Sequence, residues 1–558
     1  MSIVSRKAAA GNSLRPNPWT FFVGAIALLI ASPVFYVLSS IFADAREVWQ
    51  HLAATVLWDY IANSLLLSVG TGLGVFLIGT GTAWLVTMCC FPGSRWFEWG
   101  LLMPLAAPAY LLAYIYTELL DYYGPVQTFL RNLFGWESAR DYWFPNVRSL
   151  GGAIVMLVLV LYPYVYLLAR VAFLEQSVCT LEASRSLGCN PWRSFLRVAL
   201  PLARPAIIAG LALVLMEVLN DFGTVQFFGV STFTTGIYRT WLGMGERVAA
   251  SQLAAFLLLF VLVPIVLERF SRRQARYYQR GRAGSPLQCY SLAGWRKVLA
   301  QASCFLPLFL GFLLPVCFLV QLTLGNLSQN LKSQFWEFAS HSFILSTLTA
   351  VLGVAIALLM AYGQRLQPSP LTAFAVRIAT MGYAVPGSTI AVGVLIPAGQ
   401  LDNAIDGFMR STFNISTGLL LSGTLILLVF AYLVRFLAVS FNAAESSLGK
   451  ISPSLDDASR SLGHSPAKTL VKVHAPLMSG GLLTAAMLVF VDAMKELPAT
   501  LMIRPFNFDT LAVRVYNYAS DERLAEASAP ALVIILTGLV PVIFLSWQIA
   551  RSRIRLPG

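Results

Sequence analysis

The sequence predicts an all-α, polytopic membrane protein of about twelve transmembrane helices, arranged as two pseudo-symmetric halves of six. Three observations carry that prediction. Of 558 residues, 57% are apolar and 12% charged, against about 25% charged in an ordinary soluble domain, and the mean hydropathy is +0.70. The apolar residues gather into runs near the ~20 residues that a helix needs to cross a bilayer. The runs and the residues that punctuate them then repeat along the chain.

The first six runs fall near 20–42, 61–89, 98–119, 150–174, 203–226 and 249–268. Six more lie near 302–324, 343–363, 371–397, 417–440, 477–500 and 528–550. The first follows Arg6, Lys7 and Arg15 and is longer than the core of a signal peptide, about 7–15 residues, so it reads as a retained span. The net charge of +13 does not require a nucleic acid. Its arginines sit in short loops beside apolar runs, as the positive-inside rule expects, and membrane lipid is the implied contact. With the N-terminus inside, Arg95, Arg170, Arg193, Arg197, Arg204 and the cluster from Arg269 to Arg282 all fall inside. So do Arg365, Lys450, Arg460, Lys468, Lys472 and Arg551, while the loops at 43–60 and 399–416 are nearly free of Lys and Arg. Both termini are therefore expected on the cytoplasmic side. The seven cysteines form no CxxC pair and imply no disulfide framework or zinc site.

The repeat is read in register. Asn63-Ser64 matches His341-Ser342 and Pro108 matches Pro386 at an offset of 278; Gly188 matches Gly463 and Pro201 matches Pro476 at 275. Glu217 with Asp492, Asp221 with Glu496, Phe233 with Phe508, Thr235 with Thr510 and Arg239 with Arg514 continue at 275. Each copy has an even number of spans and starts inside, so the repeats are parallel and their axis runs along the membrane normal. The expected organisation is a first half over 1–268, a basic linker over 269–298 and a second half over 299–558.

Each half carries a polar loop between its fourth and fifth spans, at 178–204 and 452–477. The first reads Glu182-Ala183-Ser184, three residues, Gly188, nine residues, Val198, one residue, Leu200-Pro201; the second reads Asp457-Ala458-Ser459, three residues, Gly463, nine residues, Val473, one residue, Ala475-Pro476. A short helix stopped by a glycine that tolerates positive φ, followed by a proline at the start of a span, makes a rigid knob. This pattern resembles the EAA loop of ATP-binding-cassette importer permeases: Glu-Ala-Ala, three residues, Gly, nine residues, an Ile-like residue, one residue, Leu-Pro. Ser replaces the second Ala and Val the Ile in both copies, and the second copy has Asp457 and Ala475. The resemblance implies two type I permease halves working by alternating access in a bacterial inner membrane. It also implies that each knob is a coupling helix seated in an ATPase subunit, hence two such subunits, expected as a homodimer. The chain has no GxxxxGK[ST] loop, and Gly449-Lys450 lacks its context. ATP is thus expected to act only through partner subunits, with no cofactor bound by this chain, which reads as a transport subunit and not an enzyme.

Ionisable groups inside spans are costly and point to function. Glu217 and Asp221 end the fifth span of the first half, and Asp492 and Glu496 end that of the second. Each pair, spaced i, i+4, shares a helix face. Four carboxylates beside a translocation path suit a hard cation, which prefers oxygen ligands. The rival reading comes from sulfate and molybdate permeases, which resemble this chain, carry an acid just before Phe-Gly and move anions; there the outer acid is a gate or packing element, paired with Lys495 or Arg514. The segments from Asn220 to Trp241 and from Lys495 to Leu532, with the fused twelve-span plan, resemble the ferric-iron importer permeases of bacteria. That resemblance implies Fe(III) as cargo and a periplasmic binding protein on the outer loops near 121–149, 221–248, 399–416 and 501–527. Thiamine, sulfate, phosphonate and polyamine permeases share the plan, and a twelve-span secondary transporter fits the topology without explaining the paired loops.

Overall fold

The computed structural model describes residues 18–176, 188, 190–273, 290–327, 332–366 and 368–554. Among these, nine helices are long and apolar enough to cross a membrane, and three bent helix pairs raise the number to twelve. The chain is an all-α multi-pass membrane protein. Its described strand structure is one parallel pairing, Cys89–Cys90 with Tyr290–Ser291. Cys90 is disulfide-bonded, which cysteine spacing alone does not reveal.

Two compact units are formed. One comprises the residues up to Ser32, Ala350–Tyr383 and Leu433–Val489; the other comprises Pro33–Thr349, Ala384–Tyr432 and the chain from Phe490. In the larger unit, helix Leu57–Met88 lies along helix Leu150–Leu174. Glycines permit the approach: a Cβ added to Gly79 would stand 2.9 Å from the Val165 Cβ and 3.0 Å from the Tyr162 carbonyl oxygen. Gly74 faces Val158 and Gly70 faces Ile154 in the same stripe. Lipid tails are as apolar as leucine, so such close backbone packing supplies much of the attraction between membrane helices.

The third span of the first half is broken, where the sequence suggests one run over 98–119. Ser94–Ala106 and Ala109–Phe134 meet at 92°. Pro108 causes the break: steric clash drives the residue before a proline out of the helical region, and Ala107 has ψ 124°. Pro108, with φ −62° and ψ 145°, then opens the second helix. The run over 371–397 is interrupted in the same way by Pro386 (φ −57°, ψ 142°) before helix Gly387–Phe413. The fifth-span helices stop at Asn220 and Met494, short of the expected 226 and 500, and the short helices Gly223–Phe227 and Pro498–Ile503 follow.

Contacts revise the repeat register beyond these points. The Asn63 side chain donates to the Ser231 carbonyl at 2.9 Å, and the His341 ring meets the Asp509 carbonyl at 3.1 Å. Ser64 accepts from the Phe233 amide at 3.5 Å, and Ser342 accepts from the Leu511 amide at 2.7 Å. Thr232 and Thr510 are the N-caps of the helices that follow, Phe233–Tyr238 and Leu511–Ser520. The structural match is therefore Thr232 with Thr510, at 278. The match of Thr235 with Thr510, and with it Phe233 with Phe508 and Arg239 with Arg514, is corrected by three residues. Identical residue types near a cap make both registers plausible in sequence, whereas the cap and the reciprocal hydrogen bonds select one.

Candidate coupling loops and translocation path

The second polar loop is described in full. Ser452 caps helix Pro453–Ser461 by accepting from the Ser454 amide, and Pro453 occupies its first turn, where its missing N–H is not needed. The helix ends as the glycine spacing predicts: Gly463 has φ +74°. Its amide bonds to the Arg460 carbonyl at 2.9 Å and the His464 amide to the Ser459 carbonyl at 3.1 Å. These two bonds constitute a Schellman stop. Asp457 and Ala458 are exposed, Leu455 and Leu462 turn outward at 41% and 76% exposure, and Ser459 is buried. The Ser459 hydroxyl bonds to that of Thr469 at 2.7 Å, giving a use to its departure from alanine.

In the first loop, Gly188 has φ +78°, while Glu182, Ala183 and Ser184 lie outside the described residues. The return to the membrane is the same in both copies. Asn190 and Ser465 cap short helices that start at Pro191 and Pro466, and π turns at Phe195–Ala199 and Leu470–His474 follow. The π turns have a direct cause. Pro201 and Pro476 have no N–H for the carbonyl four residues back, and the Leu200 and Ala475 amides reach instead to Phe195 and Leu470, five residues back.

A polar lock absent from the expected site holds the second loop. Asp456 accepts from Arg365 Nε at 2.8 Å and from His474 Nε2 at 2.6 Å. Arg365 also donates to the Leu448 and Ile451 carbonyls at 2.7 and 2.9 Å. Tyr362 donates to the Pro466 carbonyl at 3.0 Å. The available signals were an acid directly before Asp457 and a histidine two residues before Pro476. Neither has a counterpart in the first copy, so repeat matching passes over both.

The four intramembrane carboxylates divide by role. Asp221 accepts from the Thr224 hydroxyl at 3.0 Å and the Val225 amide at 3.1 Å. Glu496, its repeat partner, accepts from the Ala499 amide at 3.1 Å. Each thus satisfies a donor at the start of the short helix after its span. Asp492 pairs with Lys495 at 2.8 Å, and Glu217 is within electrostatic reach of that lysine. Arg514 lies 3.3 Å from Asp509. The Asn220 side chain accepts from the Gly387 amide at 2.7 Å, tying the fifth span of the first half to the third of the second. Among the described residues, no group of three or more His, Cys, Asp or Glu is placed to hold a metal ion. The loop at 121–149 closes around Arg131, which donates to the Tyr122 carbonyl at 2.6 Å, and frames a half-open cleft of about 360 Å³ lined in part by Trp143 and Arg148. There Asp141 accepts from the Ser138 and Glu137 amides, which hold its carboxyl below the usual carboxylate range.

Residues 10–276 match the family model for the binding-protein-dependent transport system inner membrane component. The first half of the chain is a permease domain of that family. The permease is 26% identical over 541 residues to the Fe(3+)-transport system permease protein FbpB 2 of Haemophilus influenzae, covering 95% of this chain and 98% of that one. It is 23% identical over 569 residues to the ferric transport system permease protein FbpB of Actinobacillus pleuropneumoniae, covering 96% and 79%. The molybdenum transport system permease protein ModB of Escherichia coli is 25% identical over 225 residues, 39% of this chain and 95% of its own. The ferric relatives thus align with both halves of the permease, and the molybdenum relative with a stretch of about one half. The permease is a fused, two-repeat inner-membrane protein.

Proposed function

We propose that this permease is the membrane subunit of an ATP-driven importer that passes ferric iron, delivered by a periplasmic binding protein, into the cytoplasm by alternating access. The observation that carries the cargo is the alignment with a Fe(3+)-transport permease over 95% of this chain and 98% of that relative. The halves are bounded at 1–268 and 299–558, with 269–298 as the cytoplasmic linker and both termini cytoplasmic. Two copies of one ATPase subunit receive the loops: Glu182, Ala183, Ser184, Gly188 and Pro201 form one handle, and Asp457, Ala458, Ser459, Gly463 and Pro476 the other. The outward turn of Leu455 and Leu462 supports this reading, because exposed leucines on a rigid, capped helix are what a hydrophobic groove accepts. Glu217, Asp221, Asp492 and Glu496 border the path. ATP binds the partners, and this chain performs no hydrolysis.

Reconstitution tests the proposal. The permease, its ATPase and its binding protein in liposomes should show ATP-dependent uptake of Fe(III) and not of molybdate, sulfate or thiamine. Uptake driven by an ion gradient without the ATPase would refute the importer class. ATP-dependent uptake of another solute alone would refute only the cargo.

A further inference from the structure

We propose that the cleft where the second and last spans of the second half begin holds the phosphate of a phospholipid headgroup, with Arg514 as its principal donor. The cleft measures about 250 Å³ and is lined by the first turns of helices Ser333–Leu366 and Leu524–Ile554 and by helix Leu511–Ser520. Phe335, Phe338 and Pro530 give it apolar walls, and Lys332, Arg514 and Asn517 give it donors.

Arg514 is a donor that the protein itself leaves unused. Its guanidinium carbon lies 4.4 Å from the centre of the Phe338 ring and 5.5 Å from that of Tyr518, and attraction to a ring spends none of its five N–H donors. Nε is buried without a hydrogen-bond partner, although the Asp509 carboxylate lies 3.3 Å away. That carboxylate also receives Arg504, so one acid answers two guanidiniums. Arg523 is committed to Glu526 through two hydrogen bonds, at 2.8 and 2.7 Å. Arg514 and Lys332 remain in the lining, against Asp521, which is exposed. A planar fork of donors takes phosphate oxygens two at a time.

The walls and the position select the source of that phosphate. Two membrane-crossing helices begin here, and Trp336, four residues after Lys332, is 63% exposed, as a side chain at a membrane surface is. Free phosphate has no use for Phe335 and Pro530, whereas the glycerol and acyl carbons of a lipid do. The ammonium of a zwitterionic headgroup also answers Asp521. The first half closes the same place. At the offset of 278, Tyr60 stands for Phe338 and Gly236 for Arg514. Tyr60 is 3% exposed and its ring fills the room: a Cβ added to Gly236 would stand 2.5 Å from Tyr60 Cε2 and 2.8 Å from Cζ. Packing of this fold therefore does not require an arginine at the position, and the second half sets one beside an open cleft.

The test uses the permease purified with its ATPase in a nonionic detergent. It is titrated with dihexanoyl phosphatidylethanolamine or with inorganic phosphate, and binding is read by calorimetry and by melting temperature. The native complex should bind the lipid saturably and melt at a higher temperature with it, since a ligand held only by the folded state stabilises that state. Arg514→Gln should weaken this binding at least about tenfold, through the loss of a charge-assisted hydrogen bond. Arg514→Gly with Phe338→Tyr installs the pairing that the first half already accommodates and should abolish the binding, which keeps the test decisive if the glutamine variant folds poorly. Arg239→Gln alters a cation of the closed half and should bind as the native chain does. Inorganic phosphate, without apolar contacts, should bind at least about tenfold more weakly than the lipid. Phosphate binding as tight as lipid binding would overturn the headgroup as the ligand. No saturable lipid binding to the native complex, or native lipid affinity in either Arg514 variant, would overturn the site.

Discussion

Asp456→Asn isolates the lock on the second loop. The native carboxylate receives Arg365 at 2.8 Å and His474 at 2.6 Å. Side-chain exposures are 17% for Arg365, 14% for Asp456 and 0% for His474, so solvent screens the group little. Asparagine keeps the size and one acceptor but loses the charge, and its amide nitrogen confronts a donor. Removing one partner of a buried ion pair costs about 3–5 kcal/mol. Arg365 retains the Leu448 and Ile451 carbonyls, which places this variant at the low end, about 3 kcal/mol. Since about 1.4 kcal/mol is a factor of ten, local opening of helix Pro453–Ser461 should rise about a hundredfold. Amide hydrogen exchange over residues 453–463 of the permease in lipid nanodiscs reads that change directly. Uptake per ATP hydrolysed should fall in the same variant, because a loosened handle transmits less of the ATPase's motion. Native protection together with a native transport ratio would refute the argument that the triad fixes the handle.

Two further outcomes are expected. Gly188→Asp and Gly463→Asp place a side chain at φ +78° and +74° and a new charge on each handle; both should insert normally yet transport poorly, and full-rate uptake by both would end the docking role. Gly79→Val drives its side chain into Val165 and the Tyr162 carbonyl, and overpacking of this kind costs about 1–3 kcal/mol. A lowered melting temperature in detergent is expected, and an unchanged one would mean that the glycine stripe does not set the spacing of the two helices.

Much of the fold was legible because two physical signals are strong in membrane chains. Apolar run length gave the spans, and Gly463 with its fixed spacing gave the helix stop that the backbone shows at φ +74°. The breaks at Pro108 and Pro386 were less legible. The flanking residues stay apolar on both sides of each proline, so hydropathy runs through a point where the backbone turns. The register shift to Thr232 and Thr510 was hidden because short polar and aromatic residues recur near both caps. The lock of Arg365, Asp456 and His474 could not be read from the repeat, since its members are 91 and 18 residues apart and have no counterparts to align. The sequence set four carboxylates at the ends of the fifth spans but could not tell that Asp221 and Glu496 each satisfy a helix start while Asp492 meets Lys495.

The segments that return from the two loops to the membrane are met by different physics, and that difference yields a sharper prediction than either alone. Where the second half has Arg365, Asp456 and His474, the first has Thr87, Leu181 and Ala199. Trp84, at the position of Tyr362, packs against Phe195 at 4.8 Å and Phe173 at 5.7 Å, an apolar contact that is strong but weakly directional. Replacing a buried ionic group by apolar residues is often neutral or stabilising, whereas deleting one member strands the others. The triple variant Arg365→Thr, Asp456→Leu, His474→Ala should therefore destabilise the permease less than Asp456→Asn alone, even after the cavity left by the arginine and imidazole is counted. Unfolding in detergent and amide exchange over 453–463 would both show the partial recovery. Uptake per ATP should not recover with them, because the hydrogen bonds that Arg365 and His474 make to Asp456 fix the direction of the helix and a leucine contact does not. If the triple variant instead lost as much stability as its three single substitutions summed, the triad would be holding the loop by strength and not by geometry. The polar handle would then be no more than a stronger version of the apolar one.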